Sequence, residues 1–329
     1  MSVDPGADST PSPVTPIRGD GPKVSGQNFG DRIYRWTITA FALCIPLLLL
    51  LIAVEIGSAG WPTFREHGIS FLFLSTWDPN SGQYGVLPAI YGTLISSLLA
   101  ILLATPLALG VAIFLSEFAP AWLRTPVAFL VDLLAAIPSV IYGLWGIFFL
   151  IPLLRDHVAP AIKSLPVIGA LPIFAGPAYG NSLLAAVLIL TIMILPYTSS
   201  VAREVLLAVP RSQREAALAL GATRWETIRD AVVPYAKSGI VGGVILGLGR
   251  AIGETMAVTM LIGNVAQIKA SLFAPAYTMA ALIANEFSEA SGPHLSALMA
   301  VGSALFLITI AVNGIARWLV WRVSREGAA

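Results

Sequence analysis

Six apolar stretches constrain this chain more than anything else in it. Each approaches or exceeds the roughly 20 helical residues needed to cross about 30 Å of hydrocarbon. They run over residues 33–56, 89–115, 126–154, 181–200, 238–262 and 294–319. In oil a backbone must satisfy its polar groups internally, so runs of this kind fold as helices. The expected fold is an all-α, integral membrane protein with six spans and both termini on one side. Charged residues make up only 11% of the 329, against about 25% in a soluble domain, and the mean hydropathy of +0.82 agrees. A net charge of +1 argues against a nucleic-acid partner. The single cysteine, Cys44, lies in an apolar run, which excludes an internal disulfide and thiolate metal chemistry.

Residues 1–30 hold Pro5, Pro11, Pro13, Pro16 and Pro22 among Gly, Ser and Asp, the composition of a disordered tail. The segment lacks the apolar core and cleavage site of a signal peptide and is expected to stay attached. Residues 31–325 form the expected membrane domain, with a long polar loop at about 201–237. Lys and Arg set the orientation. The tails and the loops 116–125 and 201–237 hold Arg18, Lys23, Arg32, Arg35, Arg124, Arg203, Arg211, Arg214, Arg224, Arg229, Lys237, Arg317, Arg322 and Arg325. The opposite loops hold only Arg65, Arg155, Lys163 and Lys269. Fourteen against four, counted from those positions, points the tails and the long loop into the cytoplasm. The outer loops, 57–88, 155–180 and 263–293, are rich in Trp, Pro and Gly. They either connect spans or form a platform for an extracytoplasmic partner.

The long loop has its own grammar. Ser212 and Glu215 fit an S-x-x-E capping box, and Glu215, Ala216, Ala217, Leu218, Ala219 and Leu220 suit a helix. Gly221 supplies a left-handed stop. Thr223 and Glu226 repeat the box ahead of a second short helix that Pro234 is expected to close. This pattern resembles the EAA loop of ABC-transporter permeases, with Glu215, Ala216, Ala217, Gly221 and Pro234 at matching positions and Ala231 and Val233 replacing the usual Ile and Leu. The resemblance implies a type I importer fold whose coupling helix docks on a separate ATP-hydrolysing subunit. Thr223 and Arg224 belong to the same ATPase-coupling face.

The fifth stretch carries the chemistry. Gly243, Gly247, Arg250 and Glu254 recur at i, i+4, i+7 and i+11, within about 60° on one helical face at 100° per residue. Gly239 joins that stripe, and Gly249 with Gly253 makes a second pair of small residues that lets helices approach closely. Arg250 sits about twelve residues, roughly 18 Å, into the span. A cation there costs at least about 2.5–3.5 kcal/mol unless it is paired or faces a polar path. Glu254 is the expected partner. The pair either clamps two helices or changes partners when an anion arrives, the guanidinium fork suiting phosphate oxygens. Asp132 stands near the inner mouth, within reach of Arg250 or a cytoplasmic cation. Pro138, Ser139, Tyr142 and Gly143 interrupt the third span, Thr191, Pro196, Tyr197, Thr198 and Ser199 the fourth, and Pro106 the second; all are candidates for lining the path.

Four segments narrow the resemblance: Gly247–Val258 (GLGRAIGETMAV), Leu133–Gly146 (LLAAIPSVIYGLWG), Pro88–Leu94 (PAIYGTL) and Ala284–Ala290 (ANEFSEA). Together they closely resemble the PstC family, permeases of the high-affinity phosphate importer, over roughly residues 31–325. The resemblance implies translocation of inorganic phosphate through Arg250 and Glu254, with Thr255 beside them. It also implies a PstA-like sister permease, two copies of a PstB-like ATPase holding ATP and Mg, a PstS-like phosphate-binding protein and a link to phosphate signalling. No G-x-x-x-x-G-K-[ST] loop is present, so ATP hydrolysis is assigned to the partner. Another oxyanion (molybdate, tungstate or sulfate) and a mainly regulatory relay to a sensor kinase are the rival readings. An enzyme is not indicated, since His67, His157 and His294 are scattered.

Overall fold

The computed structural model describes residues 29–326. The expected tail, 1–30, lies outside these apart from Phe29 and Gly30, which are already helical. Contacts divide the chain at Ile52 and Ala53. The described residues of the first unit belong to helix α1 (Phe29–His67) and are all exposed.

The second unit contains the end of α1 and the rest of the chain. It continues through a small hairpin, β1 (Trp77–Asp78) and β2 (Gln83–Tyr84), with Trp77 opposite Tyr84. Gly82, at φ +69°, makes the turn, and the Asp78 carboxylate accepts hydrogen bonds from the Ser81 hydroxyl and the Asn80 N–H. Those bonds, Ser81 first, hold the Asp78 carboxyl below the usual range. The helices that follow are α2 (Leu87–Ile113), ending in a π-turn at Phe114–Phe118, α3 (Ala121–Ala136), α4 (Ser139–Ser164), α5 (Leu183–Leu207), α6 (Arg211–Ala219), α7 (Arg224–Gly253), α8 (Met256–Leu261), α9 (Met279–Glu286) and α10 (Gly292–Glu326). Six helices among the described residues are long and apolar enough to span a membrane.

Two expected spans are broken. The third does not run from 126 to 154: α3 stops at Ala136 and α4 starts at Ser139. Pro138 has no N–H to continue α3 and forces Ile137 into extended geometry, φ −67° and ψ 128°. Beyond the break α4 continues to Ser164, so Arg155 and Lys163 are helical rather than in a loop. The outer segment 263–293, expected as a loop, contains helix α9.

The bundle is held by small residues. Along α2, Ser96, Ala100, Ala104, Ala108 and Ala112 are buried at four-residue spacing, with 1% or less of each surface exposed. Such a ridge lets α5 pack close against α2, around Leu183, Ala186, Val187, Leu190 and Ile194. Near the other end, Gly92 allows the Tyr277 carbonyl to lie where a Cβ would stand, 2.0 Å from it. Next to it the Thr93 hydroxyl accepts the N–H of Met279. Glu286 then receives the Trp77 indole N–H at 2.9 Å and the His294 ring at 2.9 Å. Tyr277, whose carbonyl lies against Gly92 and whose hydroxyl accepts a hydrogen bond from Asn285, links the segments Pro88–Leu94 and Ala284–Ala290 in one latch that joins the hairpin, α2, α9 and α10. Burial is the main reason that the Tyr277 phenol in this latch is pushed up to about 12.

Candidate functional site

The fifth span breaks at its charged pair, against the expectation of one helix over 238–262. Gly253 ends α7, Glu254 is extended (φ −70°, ψ 127°), and α8 resumes at Met256. The Glu254 carboxylate accepts the N–H of Ala257 at 3.4 Å, so the side chain caps the new helix in place of the lost backbone bond. Thr255 donates its hydroxyl to the Gly253 carbonyl across the gap. Arg250 and Glu254 thus lie on the two sides of a helix break. Nη2 of Arg250 stands 3.8 Å from Oε2 of Glu254, an ion pair too long for a hydrogen bond.

Arg250 has unspent donors. Its guanidinium lies over the ring of Tyr197, 4.7 Å from the centroid, and its buried Nε has no hydrogen-bond partner. Glu254 is nearly covered, at 8% exposure, whereas 34% of the Arg250 side chain is open. The opening is a cavity of about 400 Å³ lined by Tyr197, Val201, Leu246, Gly249, Arg250, Gly253 and Glu254. Leu246 and Gly249 also border a second cavity, of about 610 Å³, which reaches Asn313 and Arg317 on α10.

Tyrosines join this break to the other one. The hydroxyl of Tyr142 donates to the carbonyl of Leu134 at 2.7 Å, and that of Tyr197 to Ala135 at 2.9 Å. Both carbonyls belong to the last turn of α3, where Pro138 has no N–H to give Leu134 and only Ile137 donates to it, at 3.4 Å. The residue that supports Arg250 is therefore pinned to the broken third span. Among the expected lining residues, Tyr142 is buried near this tie and Ser139 is half-buried at the start of α4. Asp132 is exposed and forms no ion pair among the described residues, so the expected approach to Arg250 does not occur. The stripe Gly239, Gly243 and Gly247 faces Val205, Val201 and Thr198 on α5, as a close-packing face should. Gly253 departs from that expectation: nothing lies within 4 Å of its Cβ position, and it borders the cavity instead.

At the long loop, α6 starts at Arg211 after Pro210, which has the extended backbone of a cap. This overturns the first capping box: Ser212 is already inside the first turn and makes no cap. The second box forms, with Glu226 N–H donating to Thr223 Oγ1 at 3.3 Å and Thr223 N–H to the Glu226 carboxylate at 2.7 Å. Gly221 takes φ +86°. Pro234 closes nothing, because a π-turn at Thr227–Val232 shifts the hydrogen-bond register ahead of it and α7 runs on to Gly253. Glu215, Ala216, Gly221, Thr223 and Arg224 are exposed, Ala217 is half-buried, and Leu220 and Trp225 beside them are 90% and 57% exposed.

Two solved structures of ABC transporters share this architecture. The bacterial alginate ABC transporter, crystallised in complex with its alginate pentasaccharide-bound periplasmic protein, matches with a TM-score of 0.59 over 91% of this chain and 98% of that one. The MetNI methionine ABC transporter matches at 0.53 over 74% and 95%. At 17% and 18% identity these establish the fold alone. Residues 104–325 match the family described as binding-protein-dependent transport system inner membrane component, the class of integral membrane permease that this bundle and its loop define. Within that class the phosphate transport system permease protein PstC of Pasteurella multocida is 45% identical over 300 residues, 90% of this chain and 93% of its own. That of Mesorhizobium japonicum is 47% identical over 302 residues, 91% and 92%, and the probable PstC of Methanocaldococcus jannaschii is 35% identical over 284, 84% and 89%. The chain belongs to the PstC family of phosphate transport system permeases.

Proposed function

We propose that the chain forms one half of the membrane path for inorganic phosphate, driven inward by ATP hydrolysis on a separate subunit. The observation that carries this reading is the guanidinium of Arg250, inside a span, open to a cavity and with hydrogen-bond donors unspent. A tetrahedral oxyanion supplies the acceptors, and the fork binds two of its oxygens. The 3.8 Å separation from Glu254 supports an exchange of partners, since no hydrogen bond between the two has to break first. Glu254 keeps the cation company and, by its charge, opposes permanent occupation by the anion. Thr255 offers a hydroxyl at the same break. The relatives' names favour phosphate over other oxyanions.

The other half of the path comes from a PstA-like sister permease, and a PstS-like binding protein delivers phosphate to the outer face. Two PstB-like ATPases, which hold the ATP and Mg, dock on the exposed face of α6 and the turn after it, where Glu215, Ala216, Ala217, Gly221, Thr223 and Arg224 lie. The excess of Lys and Arg on that side supports a cytoplasmic loop and cytoplasmic termini. Changing Arg250→Gln in the assembled complex removes at least one charge-assisted hydrogen bond, worth about 1.5–3 kcal/mol, and is expected to lower uptake of labelled phosphate by at least about tenfold. Uptake at the normal rate overturns the path assignment. Uptake blocked by excess molybdate or sulfate as well as by phosphate overturns the substrate.

A further inference from the structure

The π-turn that ends α2 carries Glu117, and the second turn's worth of α6 carries Arg214. Their side chains meet in a fork: Nη2 to Oε1 at 2.7 Å and Nε to Oε2 at 3.4 Å. The pair is largely covered, with 21% of the arginine and 14% of the glutamate side chain exposed. The same guanidinium donates to the carbonyls of Leu206, at 2.8 Å, and Val209. Leu206 lies in the last turn of α5 and Val209 two residues past its end, so one side chain of α6 grips the ends of both α2 and α5. Beneath it Ala112, Ala202, Leu206, Val209, Val232, Ala236 and Ile240 form one apolar cluster. From there α5 leads back to Tyr197, nine residues or about 13 Å before Leu206 at 1.5 Å per residue, and Tyr197 carries Arg250 on its ring.

We infer that Arg214 and Glu117 are the positioning pair that makes α6 move with α2 and α5, so that displacement of the docking loop reaches Tyr197 and Arg250. Neither residue touches the ATPase or the anion in this account; they act by fixing one element to two others. The inference deepens the proposed function and rests on its docking assignment. A side chain that merely held the loop folded would lower stability and assembly together. A transmitting pair changes the number of phosphates moved per ATP.

The test uses the complete complex in proteoliposomes, with assembly, ATP turnover and phosphate uptake measured side by side. Glu117→Gln keeps the size of the side chain and leaves Arg214 its two carbonyl acceptors. It is expected to assemble and to hydrolyse ATP within about twofold of the wild type, while phosphate moved per ATP falls about fivefold or more. Arg214→Met is expected to do the same, and the double variant to be no worse than Arg214→Met alone, since paired residues are not additive. Coupling unchanged in Glu117→Gln, or losses that multiply in the double variant, overturns the inference even if Arg214→Met fails to assemble. Glu215→Lys separates the two readings. If that variant uncouples and Glu117→Gln does not, the pair alone is wrong. If Glu215→Lys is silent, the docking assignment fails and the inference with it.

Discussion

At the residue scale the site depends on what Arg250 is denied. Its nearest carboxylate stands 3.8 Å away, beyond hydrogen-bond reach, and its Nε has no acceptor, so the guanidinium rests on the face of Tyr197. A cation over a tyrosine ring gains about 0.5–2 kcal/mol, more as water is excluded. Tyr197 does two separable things: the ring carries the guanidinium, and the hydroxyl satisfies the carbonyl of Ala135. Tyr197→Phe leaves the first and removes the second, at a cost of about 1–3 kcal/mol for the unsatisfied carbonyl. It is expected to lower the thermal midpoint of the purified complex while uptake stays within about twofold. Tyr197→Leu loses both and is expected to cut uptake about fivefold or more. Equal uptake in the two variants would mean that the ring does not hold Arg250 in place.

At the element scale, the helices are positioned by places where side chains are missing. Small residues at every fourth position of α2 seat α5, and Gly239, Gly243 and Gly247 seat α7 against α5, with Gly247 also close to Ile101 of α2. The sharpest case is Gly92, where an added Cβ meets the Tyr277 carbonyl at 2.0 Å. Backbone must move to admit it, and overpacking of this kind costs about 1–3 kcal/mol. Gly110 lies in the same helix with nothing within 4 Å of its Cβ position, and there alanine gains up to about 1 kcal/mol of helix propensity. Thermal unfolding in detergent is expected to order the variants as Gly110→Ala, wild type, Gly92→Ala. A silent Gly92→Ala would show that the outer segment is not seated on α2. The two breaks belong to this scale as well. Proline alone explains the one at Ile137, while the one at Glu254 needs a glycine, a capping carboxylate and an open cavity together.

At the scale of the whole molecule, the proposed anion path and the proposed docking face stand at different heights of one bundle, and α5 and α7 run between them. The turn at Leu220 and Trp225 is exposed among the described residues, and the cavity at Arg250 is open on one side. Both features suit a subunit completed by other chains. Gly221→Pro places a side-chain ring where φ is +86°, and Glu215→Lys reverses a charge on the exposed face. Each is expected to leave the permease assembled in the membrane while ATP turnover no longer drives uptake, read as phosphate per ATP in proteoliposomes. Normal coupling in both would count against the docking face.

The number of spans, the capped turn at Thr223, the left-handed Gly221 and the pairing of Arg250 with Glu254 were legible in the chain, because each follows from local periodicity, capping chemistry or the cost of charge in oil. The glycine stripe was legible for the same reason. Ser96, Ala100, Ala104, Ala108 and Ala112 carry an equally clear four-residue signal in α2. Tertiary packing alone decided the rest. It put the helix break between Gly253 and Thr255, left Asp132 without an ion pair among the described residues, chose Tyr197 from several polar residues of α5, and joined Glu117 to Arg214 across 97 positions. A sequence states which groups cannot remain alone in a membrane; which distant partner reaches each of them depends on how the helices stack.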